Sequence, residues 1–203
     1  VASQRVVRMP RDQRRAQLLE VARELFAEKG YYAAAMDDIA EAAGVSKPVL
    51  YQHFGSKLEL YLALLDASCE RLTALLARAL ASTRDNAERV RGTTRAFYEF
   101  VSHEGAEFRF VFESDLTAEP LVAERLWRLN DEIADSVALV IAEDTALPPA
   151  KAKLLAISLV GAAQVSARYW MSEGREIDAA EAEQLIATLQ WRGIGGFPRT
   201  EQH

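Results

Sequence analysis

Two short apolar-periodic segments, about Met36 to Ala43 and a second beginning after Ser46, are separated by only Gly44-Val45-Ser46. That spacing constrains the fold more than any other feature of the chain. A tight glycine-bearing turn lets two helices cross steeply and leaves no room for a strand between them. Small Ala40 permits close approach. Ile39, Ala43, Val45, Leu50 and Phe54 can then pack on Leu25 and Phe26 of a preceding helix. Pro48 falls in the first turn of the second segment, where a missing N–H costs nothing.

The rest of the chain is punctuated in the same helical manner, and strand signals are almost absent. A first helix follows Pro10, with Leu18, Ala22, Leu25 and Phe26 on one face, and stops at Gly30. Ser56-Lys-Leu-Glu59 is a capping box opening a long helix to about Ala81. Asp85-x-x-Glu88 caps another to about His103, and Gly105 breaks it. Further helices are predicted at about 106–115, 119–144, 150–173 and 179–192, with Pro120, Pro148 and Pro149 at starts and Asp178-x-x-Glu181 as a further capping box. The expected fold class is all-α. A three-helix helix-turn-helix domain over residues 11–56, with a basic arm at 1–10, precedes a helical ligand-binding and dimerisation domain over 57–203.

A net charge of −6 argues against nucleic acid until its distribution is considered. Arg5, Arg8, Arg11, Arg14 and Arg15 crowd the N-terminal stretch against Asp12 alone. Polyanion binding depends on the face presented, not the global sum. In a helix-turn-helix the second helix enters the major groove. Its outward face here offers Lys47, Pro48, Val49, Tyr51, Gln52 and His53, a set suited to base edges and phosphates. Phe54 reads as core, and the adjacent Asp37 and Asp38 as first-turn helix charges rather than a catalytic pair.

Other chemistries find little support. The single cysteine, Cys69, excludes an internal disulfide. Three scattered histidines offer no metal-ligand spacing, and there is neither a cofactor motif nor a nucleophile–base–acid set, so no enzyme is expected. No apolar run follows the N-terminal arginines as in a signal peptide. The most apolar stretch, Leu154 to Trp170, is interrupted by Ser158, Gln164, Ser166 and Arg168, short of the uninterrupted run of roughly 18 residues that a membrane span requires. A soluble, cytoplasmic protein with no membrane partner is expected.

Several strings resemble the signature of TetR-family regulators. They are Gly30-Tyr31, Met36-Asp37-Asp38-Ile39-Ala40, Ala43-Gly44-Val45-Ser46-Lys47-Pro48, Leu50-Tyr51-Gln52-His53-Phe54 and Ser56-Lys57-x-x-Leu60. The resemblance implies an all-α homodimer that binds a palindromic double-stranded operator and carries a variable ligand pocket. By position it places Lys47, Pro48 and Gln52 against bases and Tyr51 and His53 against phosphates. Lys57 would hold a phosphate at a helix N-terminus. Many relatives begin the second helix with a capping threonine; Ala34-Ala35 stand here, leaving Asp37 or backbone amides to cap.

In the second half, Phe97, Phe100, Phe108, Phe112, Trp127 and Trp170 are candidate walls of an apolar ligand cavity, with ordinary core filling as the competing role. Arg109, Arg128 and Arg168 are candidates for an anionic head group. The nearly all-round apolar helix 150–173, with Gly161, Ala162 and Ala163, joins Leu185, Leu189 and Trp191 in a candidate four-helix dimer interface. Pro10-Arg11-Asp12-x-Arg14-Arg15, Phe108-Arg-Phe-Val-Phe-Glu113, Glu119-Pro120 and Ala167-Arg-Tyr-Trp170 resemble one subgroup, the regulators of fatty-acid synthesis genes that sense long-chain acyl-CoA. The resemblance implies that effector, or a fatty acid. A multidrug-responsive repressor of an efflux pump is the alternative, and a helical lipid-binding protein or enzyme retaining the fold is the reading outside the class.

Overall fold

A computed structural model describes residues 9–103, 111, 116, 118–173 and 176–193. Among these, every regular element is a helix. In chain order they are α1 Arg11–Ala33, α2 Met36–Ala42, α3 Lys47–His53, α4 Lys57–Ala81, α5 Asn86–His103, α6 Pro120–Thr145, α7 Pro149–Ser172 and α8 Ala179–Arg192. The helix expected at 106–115 lies outside the described residues, apart from helical Val111.

The stop expected at Gly30 is a kink instead. Gly30 takes φ 76° and ψ 169°, and the chain resumes one more turn to Ala33. Gly44, at φ 64°, makes the reversal between α2 and α3 with Val45 N–H bonded back to the Ala40 carbonyl at 2.9 Å. A residue with a Cβ is strained in that conformation, which is why the turn requires glycine.

The caps read from sequence are present. Ser56 Oγ accepts from Glu59 N–H at 3.0 Å while Glu59 Oε2 accepts from Gly55 N–H at 2.8 Å, so two orphan amides are satisfied at the head of α4. Asp85 and Asp178 likewise accept from Glu88 and Glu181 N–H, each at 2.8 Å. At α2, Ala35 is the N-cap and offers no side chain. Asp38 instead reaches back to the Ala35 amide, and Lys29 binds the same carboxylate at 3.1 Å, holding its pKa below the ordinary aspartate value.

One continuous core links both halves of the molecule. Leu18, Ala22 and Phe26 of α1 meet Ile39, Ala40, Leu50 and Phe54, and then Leu60, Tyr61 and Leu65 on α4. The same core continues along Leu72 and Leu76 to Phe97, Phe100 and Val101 of α5. A second cluster is made almost wholly of alanine: Ala134 and Ala138 on α6 face Ala152 and Ala156 on α7, at four-residue spacing on each helix.

By length and composition α7 could cross a membrane, with a mean hydropathy of 1.2 over its best window, so it is more continuously apolar than its interrupting polar residues suggested. In the bundle it lies along α6. Lys153 binds Asp131 and Asp135 at 2.7 and 2.6 Å, and Gln164 donates to Asn130 at 2.5 Å. Its other side is bare: Leu154, Ile157, Val165 and Tyr169 are all more than half exposed. One side of this nearly all-round apolar helix is therefore left uncovered within a single chain.

Candidate DNA-reading helix and effector cavity

α3 has one buried residue, Leu50, and is backed by Phe54 just beyond its end. With those two anchored in the core, the period of the helix turns Lys47, Pro48, Tyr51 and Gln52 to solvent. Tyr51 is 41% exposed, so it is a surface ring and not a core aromatic. The Lys47 ammonium lies 2.8 Å from Asp37 of α2, and this hydrogen bond raises its pKa. Sequence reasoning treated Asp37 as a helix-dipole charge or a cap of α2 and missed this pairing.

His53 and Lys57 occupy different surroundings from the first four. His53 is half-buried at the end of α3, its Nδ1 buried and without a hydrogen-bond partner among the described residues. Burial, and then the nearby Arg11, Arg15 and Arg14, lower its pKa. The Arg15 guanidinium stands 4.8 Å over the Phe54 ring, so the start of α1 brings its positive charge alongside the end of α3. Lys57, in the first turn of α4, donates to the Tyr32 carbonyl at 3.3 Å and lies 4.5 Å over the Tyr31 ring. Burial lowers its pKa. Tyr31 in turn packs edge-on against Tyr61 at 5.3 Å. No spacing rule announces this tyrosine platform, because it depends on the kink at Gly30.

A cavity of about 450 Å³ lies between α4, α5, α6, α7 and α8, within the range typical of small-molecule sites. Its walls are mainly aliphatic: Leu76, Leu80, Val90, Ile133, Val137, Val140, Ile141, Leu159 and Val160. Of the four expected aromatics among the described residues, Phe97 alone is a wall. Phe100 is closed core, 2% exposed. Trp170 packs on Tyr98 at 5.7 Å and donates its indole N–H to the Ile177 carbonyl at 2.7 Å. Trp127 is 78% exposed, which corrects its reading as a wall of this cavity: its face of α6 points to solvent. Phe108 and Phe112 lie outside the described residues, as does Arg109. Arg128 and Arg168 are exposed and away from the cavity, whose lining cation among the described residues is Arg89.

Among the described residues no group of His, Cys, Asp and Glu could hold a metal ion. Cys69 is unsuited to nucleophilic work, since burial pushes its thiol up to about 12.

Residues 18–64 match the family described as bacterial regulatory proteins, tetR family. The HTH-type transcriptional activator FasR of Mycolicibacterium smegmatis is 43% identical over 95% of this chain and 88% of its own length. A TetR-like transcriptional regulator from Rhodococcus sp. RHA1 superposes with a TM-score of 0.75 at 29% identity, covering 94% of this chain and 100% of that one. The fatty acid degradation regulator FadR of Bacillus halodurans gives a TM-score of 0.77 over 92% of this chain and 98% of its own at 15% identity, a likeness of fold alone. With an outward-facing α3 on a closed three-helix core and a relative matching along nearly its whole length, the chain belongs to the TetR family of bacterial regulatory proteins and is a transcription regulator, not an enzyme.

Proposed function

We propose that this protein is a cytoplasmic, homodimeric regulator of lipid genes that binds a palindromic operator and is switched by a long-chain acyl-CoA or fatty acid. The observation that carries the DNA half is the solvent-facing row Lys47, Pro48, Tyr51 and Gln52 on a helix anchored from behind by Leu50 and Phe54. Lys47, Pro48 and Gln52 read base edges, while Tyr51, His53 and Lys57 fix the register on phosphates. Residues 11–56 form the reader and residues 57–203 the sensor.

The bare sides of α7 and α8 support dimerisation. Leu154, Val165 and Tyr169 on α7, and Leu185, Leu189 and Trp191 on α8, are exposed in the single chain. Apposing two such pairs gives a four-helix interface and sets two α3 helices one DNA turn apart, roughly 34–36 Å. The apolar cavity supports the effector class. It borders α4 from Thr73 to Leu80. Lys57 to Leu76 spans about 28 Å at 1.5 Å per residue, so α4 connects sensor to reader as one rigid element. An effector shifts the spacing of the readers only by its differential affinity for the two states.

The test follows operator binding by fluorescence anisotropy, with the operator found by selection from random duplexes, during titration with palmitoyl-CoA or an aromatic cation. A change in operator affinity with palmitoyl-CoA alone is expected. A response to the cation alone sinks the lipid reading in favour of a drug-responsive repressor. Val165→Glu, harmless on the surface of a monomer, is expected to convert a dimer to monomers in sedimentation; an unchanged mass removes the α7–α8 interface.

A further inference from the structure

Among the described residues, the walls of the cavity carry two charged side chains, Arg89 and Asp144, and are otherwise neutral. Each occupies an electrostatically poor place on its own helix. Arg89 is a cation in the first turn of α5, and Asp144 an anion in the last turn of α6, where no basic residue offsets it. They meet at 3.0 Å, Nη1 to Oδ2.

The two partners are not equally held. Arg89 also donates from Nε to the Thr83 carbonyl at 2.9 Å and from Nη1 to Asn86 Oδ1 at 3.0 Å, and its side chain is 17% exposed. Of the five N–H donors on a guanidinium, those on Nη2 have no partner among the described residues. Asp144 is 38% exposed and has Arg89 as its cation. A ligand anion can therefore displace Asp144 into water while Arg89 stays in place. A ligand cation would have to take Asp144 and leave the less exposed guanidinium without a counter-charge, which is the costlier exchange.

We infer that Arg89 is the anchor for an anionic group carried on a long apolar chain, and that Asp144 is an internal carboxylate holding that place until the ligand displaces it. The inference rests on the lipid-effector reading and adds the polarity and position of the head group. The anion is a fatty carboxylate or a phosphate of an acyl-CoA; Arg binds either in the same fork geometry.

The test is calorimetric titration of the full chain, wild type, Arg89→Gln and Asp144→Asn, with palmitate, palmitoyl-CoA and 1-hexadecanol. Arg89→Gln is expected to weaken at least one of the two anionic ligands by roughly ten- to a hundredfold, the loss of a charge-assisted hydrogen bond, and to leave the neutral alcohol unchanged. Asp144→Asn is expected to strengthen the same anionic ligand several-fold. Which ligand responds identifies carboxylate or phosphate. Equal losses for alcohol and anion in Arg89→Gln, or no loss in either, overturn the inference while leaving a lipid effector intact. A wild type that binds none of the three overturns the lipid reading and this inference with it. Should Arg89→Gln melt early, Arg89→Lys and Asp144→Asn decide: retained preference for the anion in the first and a gain in the second are required.

Discussion

At one end of α4 the polar groups point outward from a closed core; at the other they turn inward around a void. In the reader, Leu50 and Phe54 are fully buried and Lys47, Pro48, Tyr51 and Gln52 are all exposed. In the sensor, the bundle leaves a space of about 450 Å³ that Leu76, Val90, Phe97 and Ile141 border without filling. A close-packed domain maximises dispersion contacts, and every wall atom facing a void forgoes them. The sensor has traded packing for room, whereas the reader has kept its packing to hold one helix in one orientation.

Truncating one large side chain in each region breaks or sharpens that contrast most forcefully. Phe54→Ala opens a hole in a filled core and is expected to destabilise the chain by about 3–5 kcal/mol, abolishing operator binding at physiological temperature. Phe97→Ala enlarges a space that already exists. It is expected to fall below that range in chemical denaturation while changing effector affinity more than Phe54→Ala does. Equal destabilisation at the two sites would show that the cavity is packed as tightly as the reader.

The contrast also explains what could be read in advance. Among the described residues, helix order, the turn at Gly44 and the caps at Ser56, Asp85 and Asp178 were legible because each depends on residues within a few positions of one another, whereas Gly30 bends its helix where a stop was expected. The outward face of α3 was legible for the same reason: fixing Leu50 inward fixes Tyr51 outward. The cavity was not, because a gap between five helices is a property of no single residue. Among the described residues, aromatic density marked one wall, Phe97, and missed with Phe100, Trp127 and Trp170. Phe100 and Trp170 pack in and against the core, Trp127 faces water, and the space itself is bounded mainly by aliphatic residues whose periodicity marks them only as inward-facing. Arg89 was hidden similarly, since its partner Asp144 lies 55 residues away.

Smaller effects separate base-reading from anchoring within the reader. Gln52→Ala is expected to cost about 1–3 kcal/mol on the selected operator and much less on unrelated duplex, measured by anisotropy. Lys47→Ala adds a complication, because Asp37 then loses its cation at 2.8 Å and becomes an unneutralised charge facing DNA. Its loss should therefore exceed that of Gln52→Ala on every sequence, and Asp37→Asn in the same background should restore part of the nonspecific component. An identical loss in Lys47→Ala with and without Asp37→Asn would show that the pair exerts no effect on DNA.

Lys57 poses the finest discrimination, because its ammonium already has two partners in the free protein. The Tyr31 ring and the Tyr32 carbonyl hold it at 4.5 and 3.3 Å, and burial lowers its pKa. A lysine so placed can act as a tether for the kinked end of α1, as a phosphate contact at the head of α4, or as both. The two roles differ in what salt does to them. A phosphate contact releases condensed counterions, so Lys57→Ala lowers the slope of log affinity against log salt by about one unit, on any sequence. A tether stabilises the folded chain and leaves that slope unchanged. Lys57→Met keeps most of the aliphatic stem over Tyr31 and removes the charge. It is therefore expected to match Lys57→Ala in the salt slope and to approach wild type in melting temperature. A Met variant with the wild-type slope would assign Lys57 wholly to the α1–α4 junction and leave phosphate binding at this end of the reader to the arginines at the start of α1.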